Sequence, residues 1–150
     1  MALSVVIPTF NQRAALTECL GALRERTTET ELVVVNGPST DGTSGMVHER
    51  SDVDVLVELS SRNVNVARNV GISRVRREMI ALLDPRHIVG PEWQGAITTN
   101  LTGSGDAISG PIQQRESGTA QTSFDADLST QGAISAGNLA TRKGVLLALD

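Results

Sequence analysis

The chain has 150 residues, a formal net charge of −4 and a pI of about 5.2, a size that fits one domain with a sizeable core. That balance argues against a duplex-DNA binder, which carries a concentrated basic face; two Phe, one Trp and no Tyr argue against a stacking platform for single strands. A single cysteine, Cys19, excludes an internal disulfide and CxxC metal spacing.

No apolar run approaches the roughly 20 residues of a membrane span, and no basic, then apolar leader is visible at the N-terminus. A cytoplasmic location, at most peripheral to a membrane, is the default expectation.

Leu3 to Ile7 is a nearly continuous apolar run, the pattern of a strand buried on both faces. Pro8 stops it, and Asn11 reads as the N-cap of the next helix. Leu16, Cys19, Leu20 and Leu23 recur at helical spacing and predict a helix from about Gln12 to Arg26, with Cys19 as a small buried hydrophobe. Leu32 to Val35 is a second buried strand. It runs into the turn-rich loop Asn36 to Gly42, after which Asp41 or Thr43 caps a short helix carrying Met46 and Val47.

Val53 to Leu59 alternates in part and predicts a strand nearer the sheet edge. A helix begins near Asn65, with Gly71 permitting close approach to a neighbour. Met79 to Leu83 is a third fully buried strand and ends on Asp84-Pro85-Arg86-His87. Pro91 suits a first helical position, followed by Trp93, Ile97 and Leu101 on one face. Ala107 to Ser109 and Ala133 to Ala136 read as short strands, and Thr141 to Leu149 as a final helix.

The alternation of strands and helices implies an α/β fold, with a parallel sheet covered on both faces. Ligands of such sheets bind in the loops at the carboxyl ends of the strands. Here those loops hold Thr9, Asn11, Asn36 and Ser39 as side-chain donors and acceptors. Gly37 and Gly42 allow close backbone approach, Arg68 offers a cation for a phosphate or base edge, and Asp84 offers a carboxylate for a ribose hydroxyl or a metal. Turn geometry and helix capping are competing roles for Pro8, Thr9, Asn11 and Gly42. There is no P-loop and no G-x-G-x-x-G after the first strand, which argues against a kinase, a GTPase or a dinucleotide enzyme.

Ser4-Val5-Val6-Ile7-Pro8-Thr9-Phe10-Asn11 resembles the S-V-V-I-P-T-[YF]-N opening of family 2 inverting glycosyltransferases. Val33 to Thr43 resembles their V-V-V-D-D-G-S-T-D-G-T, and Asn63 to Gly71, with Ala67-Arg68-Asn69-Val70-Gly71, resembles their N-x-G-x-x-x-A-R-N-x-G. Ile80 to Asp84 is similar to the strand leading into their D-x-D, Pro91-Glu92-Trp93 to their P-x-W, and Ala136 to Arg142 to a later G-x-N-x-x-x-R. The pieces occur in the family's order over nearly the whole chain.

The resemblance implies a three-layer, Rossmann-like GT-A fold, as in nucleotide-diphospho-sugar transferases, with a mostly parallel central sheet and an acceptor side cut short. It divides the single domain 1–150 into a nucleotide-binding half, 1–102, and the start of an acceptor-side half, 103–150. It implies inverting transfer of a sugar from a nucleotide-diphosphate donor to an acceptor hydroxyl, the acceptor being unspecified. Pro8, Thr9 and Phe10 would border the base, the loop Asn36 to Ser39, with Gly37, would bind it, and Asn11 would belong to the same nucleotide-sugar site. Arg68 would meet base or diphosphate, and Asp84 ribose or metal.

Two positions depart from the family pattern. Gly37 removes one of two acidic or amide side chains. Arg86 stands where the second D-x-D carboxylate normally helps bind Mn²⁺ or Mg²⁺. Three outcomes follow: Arg86 itself supplies positive charge to the diphosphate, His87 takes over as a ligand beside Asp84, or the site is degenerate. The general base of the family falls beyond Gly137 to Arg142, and so beyond Asp150; Asp125 and Asp127 read as solvated loop acids. A nucleotide-sugar-binding module without turnover is the alternative function, and core surface left by missing elements would favour a homodimer.

Overall fold

The computed structural model describes residues 2–102, 107–109, 112–114, 120–122 and 138–144. Strand β1 (Leu3–Thr9) is buried along its whole length. It pairs in parallel with β2 (Thr30–Asn36) on one side and β4 (Met79–Leu83) on the other, and β2 pairs in parallel with β3 (Val55–Glu58). β3 lies at one edge of the sheet, as its partial alternation predicted.

Side chains alternate across this sheet because the strand period is two. Leu3, Val5, Ile7, Leu32, Val34, Ala81 and Leu83 face one apolar cluster, together with Leu16, Cys19, Leu20 and Leu23 of α1 (Arg13–Arg26). Val6, Val33, Val35, Ile80 and Leu82 face the other, with Ala67 and Val75. Cys19 is fully buried, and that burial, aided by the charge of Asp84, pushes its thiol pKa far up.

Helix starts differ in detail from the sequence reading. Asn11 does not cap α1: Gln12 holds that position with no side-chain bond, and Asn11 has φ 50°. Asn tolerates this left-handed backbone, and its Oδ1 instead accepts from Thr40 N at 2.7 Å. The first N–H of α1, on Arg13, donates to Asp41 Oδ2 at 2.9 Å, so the helix is capped from the neighbouring loop. In α2 (Thr43–His48) the cap position is Gly42 at φ 86°, where only glycine is unstrained. Asp41 Oδ1 supports that start by accepting from the N–H and hydroxyl of Thr43. Helix α3 (Val64–Arg74) begins one residue earlier than expected, capped by Asn63, whose Oδ1 accepts from the N–H groups of Asn65 and Val66.

Beyond β4 the chain makes a tight turn, closed by His87 N donating to Asp84 O at 3.0 Å. It then enters β5 (His87–Val89), a strand too short to show a period in sequence. Helix α4 (Trp93–Thr102) follows, with Trp93, Ile97 and Leu101 buried as predicted. Pro91 lies two residues ahead of it, in a turn where Trp93 N donates to Gly90 O. Strands β6 (Ala107–Ser109), β7 (Ile112–Gln114) and β8 (Ala120–Thr122) come next, the first as expected. Thr141 does not open a helix. It belongs to β9 (Asn138–Arg142), which runs antiparallel to β4 because the open edge of β4 offers a full ladder of partners. The expected strand Ala133 to Ala136, Asp125, Asp127 and the helical stripe of Val145, Leu146 and Leu149 lie outside the described residues. The sheets are ordered β3-β2-β1-β4-β9-β6 and β5-β8-β7.

At the amino ends of β1 and β2, Ser4 and Glu31 are buried. Ser4 Oγ donates to Glu31 Oε1 at 2.8 Å, and the same oxygen accepts from Arg76 N at 2.8 Å. At the other end, α3 lies close on the sheet because Gly71 has no side chain. A Cβ there would collide with Val6 Cγ1 and come within 3.2 Å of Val35 Cγ2. Gly71→Ala should therefore lower unfolding free energy by about 1–3 kcal/mol through overpacking. Gly45→Ala, with nothing within 4 Å of its added Cβ, should be neutral or stabilising by up to about 1 kcal/mol. Urea denaturation of the two variants measures the difference.

Candidate nucleotide-sugar site

The carboxyl ends of β1 and β4, the loops after β2 and β3, and the start of α3 surround one cleft. It encloses about 460 Å³ of space, solvent at its mouth included. Of the residues singled out in the sequence, Pro8, Thr9, Phe10, Gly37 and Asp84 line it, joined by Gln12, Ser61, Arg62, Asn63, Val64 and Ala67.

Thr9 is 5 % exposed, and its hydroxyl has no hydrogen-bond partner among the described residues. A buried polar group without a partner costs free energy, and this one borders a cleft. Gly37 brings backbone close to Phe10: a Cβ at Gly37 would lie 3.2 Å from Phe10 Cδ2 and 3.3 Å from Ser61 O. The Arg62 guanidinium sits over the Phe10 ring, 5.0 Å from its centroid, within cation–π range. Arg62 went unnoticed in the sequence. The available signal was a cation one residue ahead of a helix cap, in the loop leaving a strand's carboxyl end.

Asn11, Asn36 and Ser39 do not line the cleft; their side chains stitch its supporting loops together. Asn36 is buried, its Oδ1 accepting from Ser39 Oγ at 2.6 Å and its Nδ2 donating to Glu58 Oε2 at 3.2 Å. Ser39 Oγ in turn accepts from Asn11 N at 2.9 Å. The loops after β1 and β2 thus form one hydrogen-bonded unit, which fixes the position of Gly37, whose N–H donates to Thr9 O at 2.9 Å. Arg68 follows Ala67 on α3. Its Nη1 donates to Asn65 Oδ1 at 3.3 Å, and its Nε is buried without a partner among the described residues.

Asp84 and Arg86 form a chelated ion pair. Arg86 Nε donates to Asp84 Oδ1 at 3.0 Å and Nη2 to Oδ2 at 3.1 Å, while the Arg86 backbone N–H donates to Oδ1 at 2.9 Å. Burial acts to raise the Asp84 pKa, but the hydrogen bonds and charge of Arg86 outweigh it and hold the carboxyl below its ordinary value.

The divalent cation implied by the resemblance does not fit these residues. Both oxygens of Asp84 are engaged by a guanidinium that cannot ligate a cation and would repel one. His87, considered as a second ligand, is buried on β5. No group of three His, Cys, Asp or Glu residues converges on a metal-sized site among the described residues. Among those residues, also, no helix is long and apolar enough to cross a membrane.

The sequence pattern of Glycosyl transferase family 2 matches residues 4–132, and the chain belongs to that family. It is 27% identical over 132 residues to the glycosyltransferase AglE of Haloferax volcanii, covering 81% of this chain and 43% of that protein. It is 34% identical over 112 residues to the validoxylamine A glucosyltransferase of Streptomyces hygroscopicus subsp. jinggangensis, covering 70% of this chain and 26% of that protein. The chain thus spans less than half the length of either relative. In structure it resembles the mannosyltransferase PcManGT of Pyrobaculum calidifontis, solved with GDP-Man and Mn²⁺. The TM-score is 0.77 at 20% identity, over 98% of this chain and 46% of that one. The fold is that of the GT-A transferases.

The ion pair yields a pH prediction. The folded pKa of Asp84 lies below its unfolded value, so the stabilisation is present above the ordinary carboxylate range and is lost as pH falls through the folded pKa. Carboxyl-carbon NMR titration should find Asp84 titrating below the ordinary aspartate range, and Arg86→Ala should move it upward.

Proposed function

We propose that the chain is the donor-binding part of a glycosyltransferase, taking a nucleotide-diphosphate sugar and passing the sugar to an acceptor hydroxyl with inversion. The observation that carries the reading is the cleft at the strands' carboxyl ends, with the unpartnered Thr9 hydroxyl on its wall. Residues 1–102 supply this donor half, and residues 103–150 begin the acceptor half.

Each group has a chemical role in such a site. The Phe10 ring, with Arg62 above it, gives a flat, polarisable face against which a base stacks. Thr9 can donate to or accept from a base or ribose edge. Gly37 leaves room for the base where a side chain would intrude. Asn11, Asn36 and Ser39 act through the loops they hold rather than by touching the ligand. Arg68 and Arg62 bring positive charge toward a diphosphate. Transfer with inversion further requires a carboxylate to take the acceptor's proton as the sugar carbon is attacked from the face opposite the departing diphosphate. In this reading that base belongs to the acceptor half.

A second reading, binding without turnover, draws support from Asp84, whose two oxygens are engaged by Arg86. Calorimetry with UDP, GDP and their sugars, alongside an assay for nucleotide release, separates the two: binding with release supports a transferase, binding without it a module. In either case Arg68→Ala should weaken nucleoside diphosphate binding about tenfold, the loss of one charge-assisted contact. Gly37→Val should abolish binding by filling the space beside Phe10 while leaving the far-UV circular dichroism unchanged. Unaltered nucleotide affinity in both variants would overturn the assignment of this cleft.

A further inference from the structure

We infer that the Asp84–Arg86 ion pair takes the place of a metal-bearing carboxylate pair, so that this chain binds a nucleoside diphosphate without a divalent cation. The inference rests on the reading of the cleft as a nucleotide-sugar site.

The first argument is charge. Two carboxylates with a divalent cation sum to zero. Asp84 with Arg86 also sums to zero, and no ion is needed to reach it. An unpaired Asp84 on the cleft wall would repel a diphosphate; the guanidinium removes that repulsion.

The second argument is geometry. Arg86 is anchored by two side-chain bonds and one backbone bond to Asp84, and it is Asp84 that lines the wall. Pro85 between them has a fixed φ, and the turn is closed by His87 N on Asp84 O. The anchor uses Nε and Nη2 and leaves Nη1 without a partner among the described residues, on a side chain that is 62% exposed. A guanidinium held in this way keeps N–H groups suited to the paired oxygens of a diphosphate.

The third argument is the surrounding charge. Arg62 lines the same cleft and Arg68 follows Ala67 behind it. One guanidinium, that of Arg62, therefore lines a site whose Asp84 carboxylate is already neutralised by a second, that of Arg86. A divalent ion entering here would have to displace Arg86 from Asp84 and then sit beside its positive charge.

The test is calorimetric titration of the chain with UDP and GDP, and with uridine and guanosine, in MnCl₂ and in EDTA. Thermal melts serve as a folding check. For the unaltered chain, diphosphate affinity should agree within about twofold between the two conditions. Arg86→Ala should weaken UDP or GDP about tenfold or more and leave the nucleoside within about twofold. Arg86→Asp, which restores the second carboxylate, should bind diphosphate in MnCl₂ and lose it in EDTA. The EPR signal of free Mn²⁺ should fall with Arg86→Asp and hold steady with the unaltered chain.

Diphosphate binding by the unaltered chain that disappears in EDTA would overturn the inference while leaving the nucleotide site intact. Equal weakening of nucleoside and diphosphate by Arg86→Ala would overturn it as well. Failure to bind any of the four ligands would overturn the nucleotide reading and this inference with it.

Discussion

The cleft exists because α3 lies almost directly on β1 and β2. Gly71 makes that contact with Val6 and Val35, and a single methyl group would force the helix away. One turn toward its start the same helix presents Ala67 to the cleft, and its capping residue Asn63, a further turn on, lines it too. The placement of the helix therefore sets both the width of the cleft and the position of Arg68. The other wall is built from strand ends whose interior residues are fully buried, so it has little freedom to adjust. Hydrophobic packing below the site and a close helix contact beside it define the space before any polar group is considered.

Polar groups then divide into those that build the cleft and those that face it. Asn11, Asn36, Ser39 and Asp41 build: each bonds to a neighbouring loop or helix start. Thr9, Arg62 and Asp84 face the cleft. The builders bring the loops after β1 and β2 into a single unit, which lets glycine at position 37 stand beside an aromatic ring without a side chain of its own to hold it there.

Much of the fold was legible in the sequence because its signals are local. Leu3 to Ile7, Leu32 to Val35 and Met79 to Leu83 are apolar on both faces, which central parallel strands require, and the stripe Leu16, Cys19, Leu20, Leu23 has a helix period. What was not legible depends on partners far along the chain. Asn11 reads as a cap until Thr40 is seen to use its oxygen. Thr141 reads as helical until β4 offers it a ladder. Asn36 and Ser39 look like ligand groups because a polar loop residue with a neighbour to bond and one with a ligand to bond have the same sequence signature. Arg86 stands out in the sequence as a departure from the family pattern, but its attachment to Asp84 emerges only from the geometry of the turn.

Ser4, Glu31 and the backbone of Arg76 tie the sheet together at the end remote from the cleft. This fastening shares no residue with the loops that line the cleft. The two ends of the sheet are thereby held by separate residues: positions 86 and 37, where the chain departs from the pattern it resembles, take no part in this fastening. Such a division leaves the rim free to vary without loosening the far end of the sheet.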